Sequence, residues 1–423
     1  MKRMFDVAVG LDVHRDVVVA TVRRLRVRED DEVSTRTFET FQDSLEEMAK
    51  WLEQQGAQVI GLESTGVYWQ PVVRMLQRSL PHVLVWLVNP LHAKKVAGRK
   101  SDVSDSQWLS KLVMYGLVAP SFLASKELQE LRKLTRHRTK LTADQTRYKN
   151  RVLKEMECSG IKLATVCSDA LGKTARSLLE AMLSGQQLDA DGVMKLAHGV
   201  LRKRVGTLLR ALKGEISPST VLVLRQLLRR LDDLTRDIAD LEAEIQRLAA
   251  PMKADIDHLI EVPGVDEVAA AAILAETGTD MSLFPTAKNL TSWAGLCPGS
   301  EESAGKAKNA PTRKGNKYLR TILVQVAVAA KNTKGTFYRR KFRRLARLGP
   351  KKAAVALARS ILTSIFYVLR DGVPYQEPET VPPPPHRVQA KIATLTAQLR
   401  ALGFEVSLTP SAASPPLSAA LVS

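Results

Sequence analysis

The chain predicts a mixed α/β unit followed by an all-α remainder, and three observations carry that assignment. Short apolar runs alternate with amphipathic stretches as far as about Val118. The strand signal then vanishes from about Ser125 to Ala250, and a leucine and isoleucine heptad closes that helical stretch. These features divide the 423 residues into 1–120, a sheet-bearing unit; 121–252, a helical coiled-coil region; 253–372, a mainly helical unit; and 373–423, a proline-rich tail expected to be largely disordered.

The first unit opens with a strand ending at Val13, a second from Val17 to Arg23 and a third from Val33 to Thr40. A helix using Leu45, Met48 and Leu52 follows, then strand Gln58 to Glu63, helix Tyr68 to Leu80, and strand His82 to Asn89. A last helix carries Trp108, Leu109, Leu112 and Val113 on one face. Three meandering strands followed by alternating helices and strands describe a mixed sheet flanked by helices, an order that ribonuclease-H-like folds share.

Four acids stand out in this unit. Asp12 interrupts Val7-Ala8-Val9-Gly10-Leu11, and Glu63 interrupts Val59-Ile60-Gly61-Leu62, so both sit at the C-terminal ends of buried strands. Asp102 and Asp105 are three apart at the start of the last helix and therefore share a face. Taken singly, Asp12 and Glu63 read equally well as turn residues, and Asp102 and Asp105 as helix N-terminal acids beside a Ser101 or Ser104 cap. Taken together they suit a hard divalent cation, because unpaired carboxylates at strand ends cost several kcal/mol in desolvation.

Composition narrows the partners. Lys and Arg number 63 against 44 Asp and Glu, giving +19 and a pI near 9.9, which points to a polyanion such as nucleic acid. No run approaches the roughly 20 apolar residues of a membrane span, and Met1-Lys2-Arg3 leads into a strand, so a cytoplasmic, nucleoid-associated protein with no membrane partner is expected. Cys158, Cys167 and Cys297 have neither disulfide nor zinc spacing.

Leu224, Leu227, Leu231, Leu234, Ile238, Leu241, Ile245 and Leu248 form a heptad seam. It can pair with the earlier stretch of Leu128, Leu134, Leu141, Tyr148 and Val152 inside one chain, or zip two chains together. The cations of that earlier stretch, Lys133 to Lys154, read either as a phosphate-binding surface or as a solvated face. Further on, Val262-Pro263-Gly264-Val265 resembles the turn of a helix-hairpin-helix, with Asp266 where a second glycine is usual. It can hold phosphate or be purely structural. Residues 301–372 contain 18 Lys and Arg and three acids, a net +15. Arg339, Arg340, Lys341, Arg343 and Arg344 are its densest stretch and candidates for nucleic-acid contact. In the tail, Ile392, Leu395, Leu399 and Leu402 mark one amphipathic segment.

A serine-bearing loop, Gly299-Ser300-Glu301-Glu302-Ser303-Ala304-Gly305-Lys306, precedes Thr312-Arg313-Lys314-Gly315-Asn316-Lys317 and Arg320. A hydroxyl near cations can act as a nucleophile on phosphate, although such serines are mostly ordinary loop residues. Arg313, Lys314, Asn316 and Arg320 are the candidates for holding that phosphate.

The set Gly10-Leu11-Asp12-Val13-His14, Glu63-Ser64-Thr65-Gly66, Asn89-Pro90, Lys100-Ser101-Asp102-Val103-Ser104-Asp105, Val262-Pro263-Gly264-Val265, Gly295-Leu296-Cys297-Pro298-Gly299, Glu302-Ser303-Ala304-Gly305-Lys306 and Arg313-Lys314-Gly315-Asn316 resembles the IS110 family of insertion-sequence transposases. The resemblance implies a RuvC-like domain whose Asp12, Glu63, Asp102 and Asp105 bind Mg2+. It also implies a transposase domain whose Ser303 forms a covalent link to DNA, with Ser300 the rival by proximity. The family's usual Lys-Thr-Asp reads Lys100-Ser101-Asp102 here, and its Asp-Ala reads Asp105-Ser106, which preserves the carboxylates. The same resemblance implies DNA partners at the element ends and target, a homo-oligomer (dimer or tetramer) with composite sites, and in some members a structured guide RNA. Two other functions fit the residues less well: a junction-resolving nuclease without a serine intermediate, and a noncatalytic nucleic-acid scaffold.

Overall fold

The computed structural model describes residues 4–26, 30–64, 66–88, 104–299, 301–303, 306–308, 311–312, 314–378 and 385–408. It divides into two compact units, Met1–Glu130 and Leu131–Ser423.

The first unit contains β1 (Val7–Val13), β2 (Val17–Arg24), β3 (Glu32–Glu39), α1 (Gln42–Gln54), β4 (Val59–Glu63), α2 (Trp69–Ser79), β5 (Leu84–Val88) and α3 (Asp105–Met114). The sheet order is β3-β2-β1-β4-β5. The first three strands are antiparallel neighbours, while β1, β4 and β5 run parallel, so the sheet is mixed as the sequence predicts. The period of two along each strand sorts side chains between faces. Val7, Val9, Leu11, Ile60 and Leu62 join Leu45, Met48 and Leu52 of α1 and Val72 and Leu76 of α2 in one core. Ala8 and Val59 point the other way and pack with Trp108, Leu109, Leu112 and Val113 of α3.

On the α3 face the residues become small where the helix crosses. The register aligns Gly61, Gly10, Thr21 and Thr35 in one row across four strands. A Cβ on Gly10 would sit 2.0 Å from the Ser106 carbonyl oxygen, and one on Gly61 would sit 2.4 Å from Cγ2 of Val113. The Thr21 hydroxyl lies 2.8 Å from that of Ser106 and 2.9 Å from that of Thr35, so the buried hydroxyls of the crossing satisfy one another. The Met4 amide donates to the Met114 carbonyl at 3.0 Å. The C-terminus of α3 is thereby held near the start of β1, and its N-terminus lies toward the end where β1 and β4 finish.

The division between units falls in the first turns of α4 (Lys126–Cys158). The helices α5 (Leu163–Val166), α6 (Lys173–Leu183), α7 (Ala190–Leu196) and α8 (Val205–Ala211) then build a small core against the end of α4 and the start of α9 (Pro218–Ala249). The heptad partner is within the chain. Helices α4 and α9 run antiparallel, with Arg138 Nε donating to Glu242 Oε1 at 2.8 Å and Gln145 Nε2 to Thr235 Oγ1 at 3.0 Å. Of the predicted seam, Leu224, Leu231, Leu234 and Ile245 are buried, and the other four are half-buried. Leu228 joins the buried set because α9 also packs against the small helical core.

The remainder comprises α10 (Lys253–Ile260), α11 (Glu267–Thr277), α12 (Ala287–Trp293), β6 (Glu301–Ser303), β7 (Lys306–Lys308), α13 (Lys317–Ala330), α14 (Phe337–Leu345), α15 (Pro350–Asp371) and α16 (Pro385–Ala401). Helix α15 is long and apolar enough to cross a membrane by composition. Here Leu357, Ile361, Leu362, Ile365 and Phe366 are buried, and the helix packs against α12, α13 and α14. Helix α16 forms within the tail expected to be largely disordered, over the segment marked by Ile392, Leu395 and Leu399. Between Pro385 and Ala401 the chain has no glycine and no further proline to break it.

One buried charge organises this unit. Glu276, 1% exposed within the apolar helix α11, accepts from Arg136 Nε and Nη2 at 2.7 and 2.8 Å and from Asn316 Nδ2 at 2.6 Å. Arg132 donates to the carbonyls of Ala275 and Glu276 at 2.9 and 3.0 Å. Burial pushes the Arg132 guanidinium below its ordinary value, Glu276 pulls it back up, and Arg136 adds to the depression. A guanidinium starts so high that it stays charged throughout.

Two stability predictions follow from these contacts. Gly10→Ala drives a Cβ into α3 backbone and should cost about 3 kcal/mol or more, whereas Gly206→Ala, in a helix with nothing near the added Cβ, should stabilise by about 0.5–1 kcal/mol; urea midpoints of opposite sign check both. Glu276→Ala leaves half-buried guanidinium groups without their counter-charge and should cost about 3 kcal/mol, with Glu276→Gln losing less because it keeps acceptor and shape. A Glu276→Ala midpoint equal to the native one would refute the role given to this carboxylate.

Candidate active site and nucleic-acid interface

The glycine row also dictates where the acids go. Two residues beyond Gly10 on β1 is Asp12, and two beyond Gly61 on β4 is Glu63, so both emerge on the α3 face at the ends of adjacent parallel strands. Neighbouring strands lie about 4.8 Å apart. Asp105 is the first residue of α3, whose N-terminus lies toward this same end, and Ser104 caps the helix by accepting from the Gln107 amide. Asp12 and Glu63 are half-buried and Asp105 is exposed. Asp12 Oδ2 lies 3.0 Å from His14 Nε2. The helix dipole favours an anion at Asp105, which is the ordinary structural role of that residue.

Three of the four acids therefore share one end of the unit, and the fourth, Asp102, lies outside the described residues. Among the described residues no three histidine, cysteine or acidic side chains are grouped closely enough to hold a metal ion. The donor chemistry, carboxylate oxygens only, is the kind Mg2+ takes. The repeat Gly-Leu-acid, at 10–12 and again at 61–63, is the pattern in the sequence that marks both close approach and site.

The serine lies in the second unit, on a hairpin whose base is built by backbone. A Cβ on Gly315 would fall 2.4 Å from the Gly295 nitrogen, so the two glycines let the chain cross itself. Above the crossing, the Gly299 amide donates to the Pro311 carbonyl at 3.0 Å and Pro298 bridges Thr312. Next, β6 and β7 pair antiparallel, with Ser303 opposite Lys306 in the last register position. Only Ala304 and Gly305 connect them, and those residues, like Ser300, lie outside the described ones. Ser303 thus ends β6 at the tip of the hairpin.

The cations near this loop have mixed roles. Arg313 lies outside the described residues, and Lys314 is exposed. Asn316 is committed to structure: its Oδ1 caps α13 by accepting from the Tyr318 and Leu319 amides, and its Nδ2 donates to Glu276. Arg320 Nη1 donates to the Gly295 carbonyl at 3.4 Å, bracing the loop. Gly264 likewise serves packing, since a Cβ there would lie 2.6 Å from the Val326 carbonyl of α13, and Asp266 caps α11.

Helix α14 is anchored by Tyr338, which is fully buried and whose hydroxyl burial pushes upward in pKa. Around that anchor, Arg343 and Arg344 are exposed and Arg339, Arg340 and Lys341 half-buried. Arg340 donates to the Gly335 carbonyl at 2.6 Å and lies 3.5 Å from Glu377. Lys341 is held below the usual lysine range by burial and then by repulsion from Arg344 and Arg359. Cations crowded this closely favour an anion among them. On α4, by contrast, Arg136 and Arg138 of the predicted basic face are spent on Glu276 and Glu242, while Lys133, Lys140, Lys149 and Lys154 stay exposed.

Two family models match the chain. The DEDD-type IS110 transposase model matches residues 9–157 and the IS116/IS110/IS902 transposase model matches residues 256–342. The chain is 30% identical over 274 residues to an uncharacterized 42 kDa protein of insertion element IS900 from Mycobacterium paratuberculosis, covering 59% of this chain and 66% of that protein. It is 36% identical over 143 residues to an uncharacterized 43.6 kDa protein of insertion element IS110 from Streptomyces coelicolor, covering 32% of this chain and 34% of that protein. The match thus spans just under two thirds of the first relative and about a third of the second. The first model contains Asp12, Glu63, Asp102 and Asp105, and the second contains Ser303 and most of the basic stretch. This chain belongs to the IS110 family of insertion-element transposases.

Proposed function

We propose that the protein is a recombinase that cleaves and exchanges DNA strands to move its own insertion element, with a RuvC-like first unit and Ser303 as nucleophile. The observation that carries this reading is the convergence of Asp12, Glu63 and Asp105 on one end of the first unit, in a chain of this family. Asp12, Glu63, Asp105 and the neighbouring Asp102 would hold a divalent cation, Mg2+ by the chemistry of their oxygens. Bound there, it would supply positive charge to the scissile phosphate and acidity to the attacking hydroxyl.

The chain's own residues account for the remaining steps. The Ser303 hydroxyl gives up its proton as Oγ bonds to phosphorus, and the sugar oxygen that leaves takes up a proton. A phosphoserine diester replaces the phosphodiester, so bond energy is conserved. Attack by a second strand's hydroxyl reverses the exchange, reforms the DNA link and returns the proton to Oγ. By the likeness to its family, the protein would act as a dimer or tetramer with composite sites. Arg343, Arg344 and Lys341, with Arg339 and Arg340 beside them, would hold phosphates. Phosphate contacts do not distinguish DNA from RNA, so the same surface accommodates an element-encoded guide RNA.

A junction-resolving nuclease is the second reading, because the acids alone would suffice for metal-assisted hydrolysis. A supercoiled plasmid carrying the gene with its native flanks separates the two. Recombination predicts that Ser303→Ala abolishes both cleavage and an SDS-stable protein–DNA adduct, a loss on the order of 10⁶-fold as for other deleted nucleophiles. Asp12→Asn should lower cleavage by at least ~100-fold, and EDTA should do the same to the native protein. Continued cutting by Ser303→Ala would establish the nuclease instead.

A further inference from the structure

The end of the first sheet that carries the acids also carries aromatic surface that the fold leaves bare. Tyr68 follows Glu63 by five residues at the start of α2, is 46% exposed, and makes no side-chain cap to that helix. Its ring lies against Gly66, where a Cβ would be 3.7 Å from Cδ2. The next residue, Trp69, is turned inward onto the core. At this point the chain buries one ring and presents the other, with Val67 beside it 63% exposed.

A second ring occupies the same end. Because β2 is antiparallel to both β1 and β3, those two strands finish on the same side, and Phe41, just past β3, is 69% exposed. On β3, two strand spacings or about 10 Å across from Asp12, the residue at the same level is Thr37, and Phe41 follows it by four residues. Tyr68 leaves from β4 on the other side, beyond Glu63. Two exposed rings thus leave the sheet at the end that carries the acids, one from each side of β1.

Resting on the reading of the acids as a phosphoryl-transfer site, the geometry points to Tyr68 and Phe41 as stacking platforms for unpaired bases on either side of the bound phosphate. A strand whose phosphate sits at Asp12 and Glu63 would bring its neighbouring bases toward these rings. In a duplex those bases are stacked inside and cannot reach an aromatic face, whereas an opened or single strand offers a π-face at every nucleotide. The substrate class is therefore nucleic acid locally unpaired at the scissile step. Tyr68 and Phe41 are positioning residues that set which phosphate meets the acids.

The test uses the full-length protein in Ca2+. The probes are a 20-nucleotide oligodeoxythymidylate with one central 2-aminopurine and a fully paired 20-base-pair duplex. The native protein should change the 2-aminopurine fluorescence on binding. Tyr68→Ala should weaken single-strand binding roughly 5- to 100-fold and abolish the spectroscopic change, Tyr68→Phe should retain both, and Phe41→Ala should act in the same direction. Duplex affinity and the salt dependence of binding should stay as in the native protein, because no phosphate contact is removed.

Native single-strand affinity and fluorescence in Tyr68→Ala would overturn the proposal. So would an equal loss on duplex, or a change in oligomeric mass that marks the rings as a protein interface. Plasmid cleavage in Mg2+ is read separately. A stacking signature in a native protein that never cleaves would support the platforms while sinking the phosphoryl-transfer reading, and cleavage without the signature would do the reverse.

Discussion

Backbone contact between α3 and the middle of the five-stranded sheet is the constraint from which the acid site follows. A helix can settle this deep only where the strands beneath it lack side chains, and Gly10 and Gly61 provide that gap at the same register position on adjacent strands. The pleat then fixes the consequence: the residue two further along each strand reappears on the same face, beyond the helix, and in both strands it is an acid. The contact that seats the helix also brings its first residue, Asp105, to the end where Asp12 and Glu63 emerge. Packing and site geometry are one feature of the chain, and a substitution that lifts α3 from the sheet would move the acids before it touched any of them.

The second unit solves a comparable problem with charge. Its hairpin departs from a backbone crossing at Gly295 and Gly315, and the residue after the crossing, Asn316, is held by Glu276 from the interior of α11. Glu276 in turn takes two hydrogen bonds from Arg136 of α4, whose guanidinium lies 4.5 Å from the centre of the Tyr318 ring. Helices far apart in sequence are thereby locked around the root of the loop that carries Ser303. A buried ion pair of this kind contributes little net stability relative to apolar packing, but it admits few alternative arrangements, because every misplacement strands a charge.

Period and spacing made the first unit legible. Alternating apolar residues located β1, β2, β4 and β5 to within a residue or two, and acids that interrupt apolar runs located Asp12 and Glu63. What stayed hidden depends on contacts between distant residues. Arg136 looked like one cation in a basic face, and only the fold shows it paired with a glutamate 140 positions away. The heptad seam was plain, whereas its partner was not, since knobs and holes read the same within a chain and between chains. The residues of Glu301–Ser303 and Lys306–Lys308 have little β-propensity and carry the signature of a loop. Their pairing follows from the crossing below them rather than from their own preference. Asn316 had the composition of a phosphate ligand and the position of a helix cap, and the position decided its role.

Net charge is divided unevenly between the two units. Residues 1–130 contain 17 Lys and Arg and 17 Asp and Glu, so the whole +19 resides in the second unit. The first unit, with as many acids as cations, attracts a polyanion only weakly by itself. The net +19 of the second unit favours a polyanion, and contacts of that kind are indifferent to base sequence and fall steeply with salt. In the proposed reaction the second unit, which also carries Ser303, would draw in the phosphate backbone, while the carboxylates stand in a unit of zero net charge, which lessens the electrostatic conflict between the two.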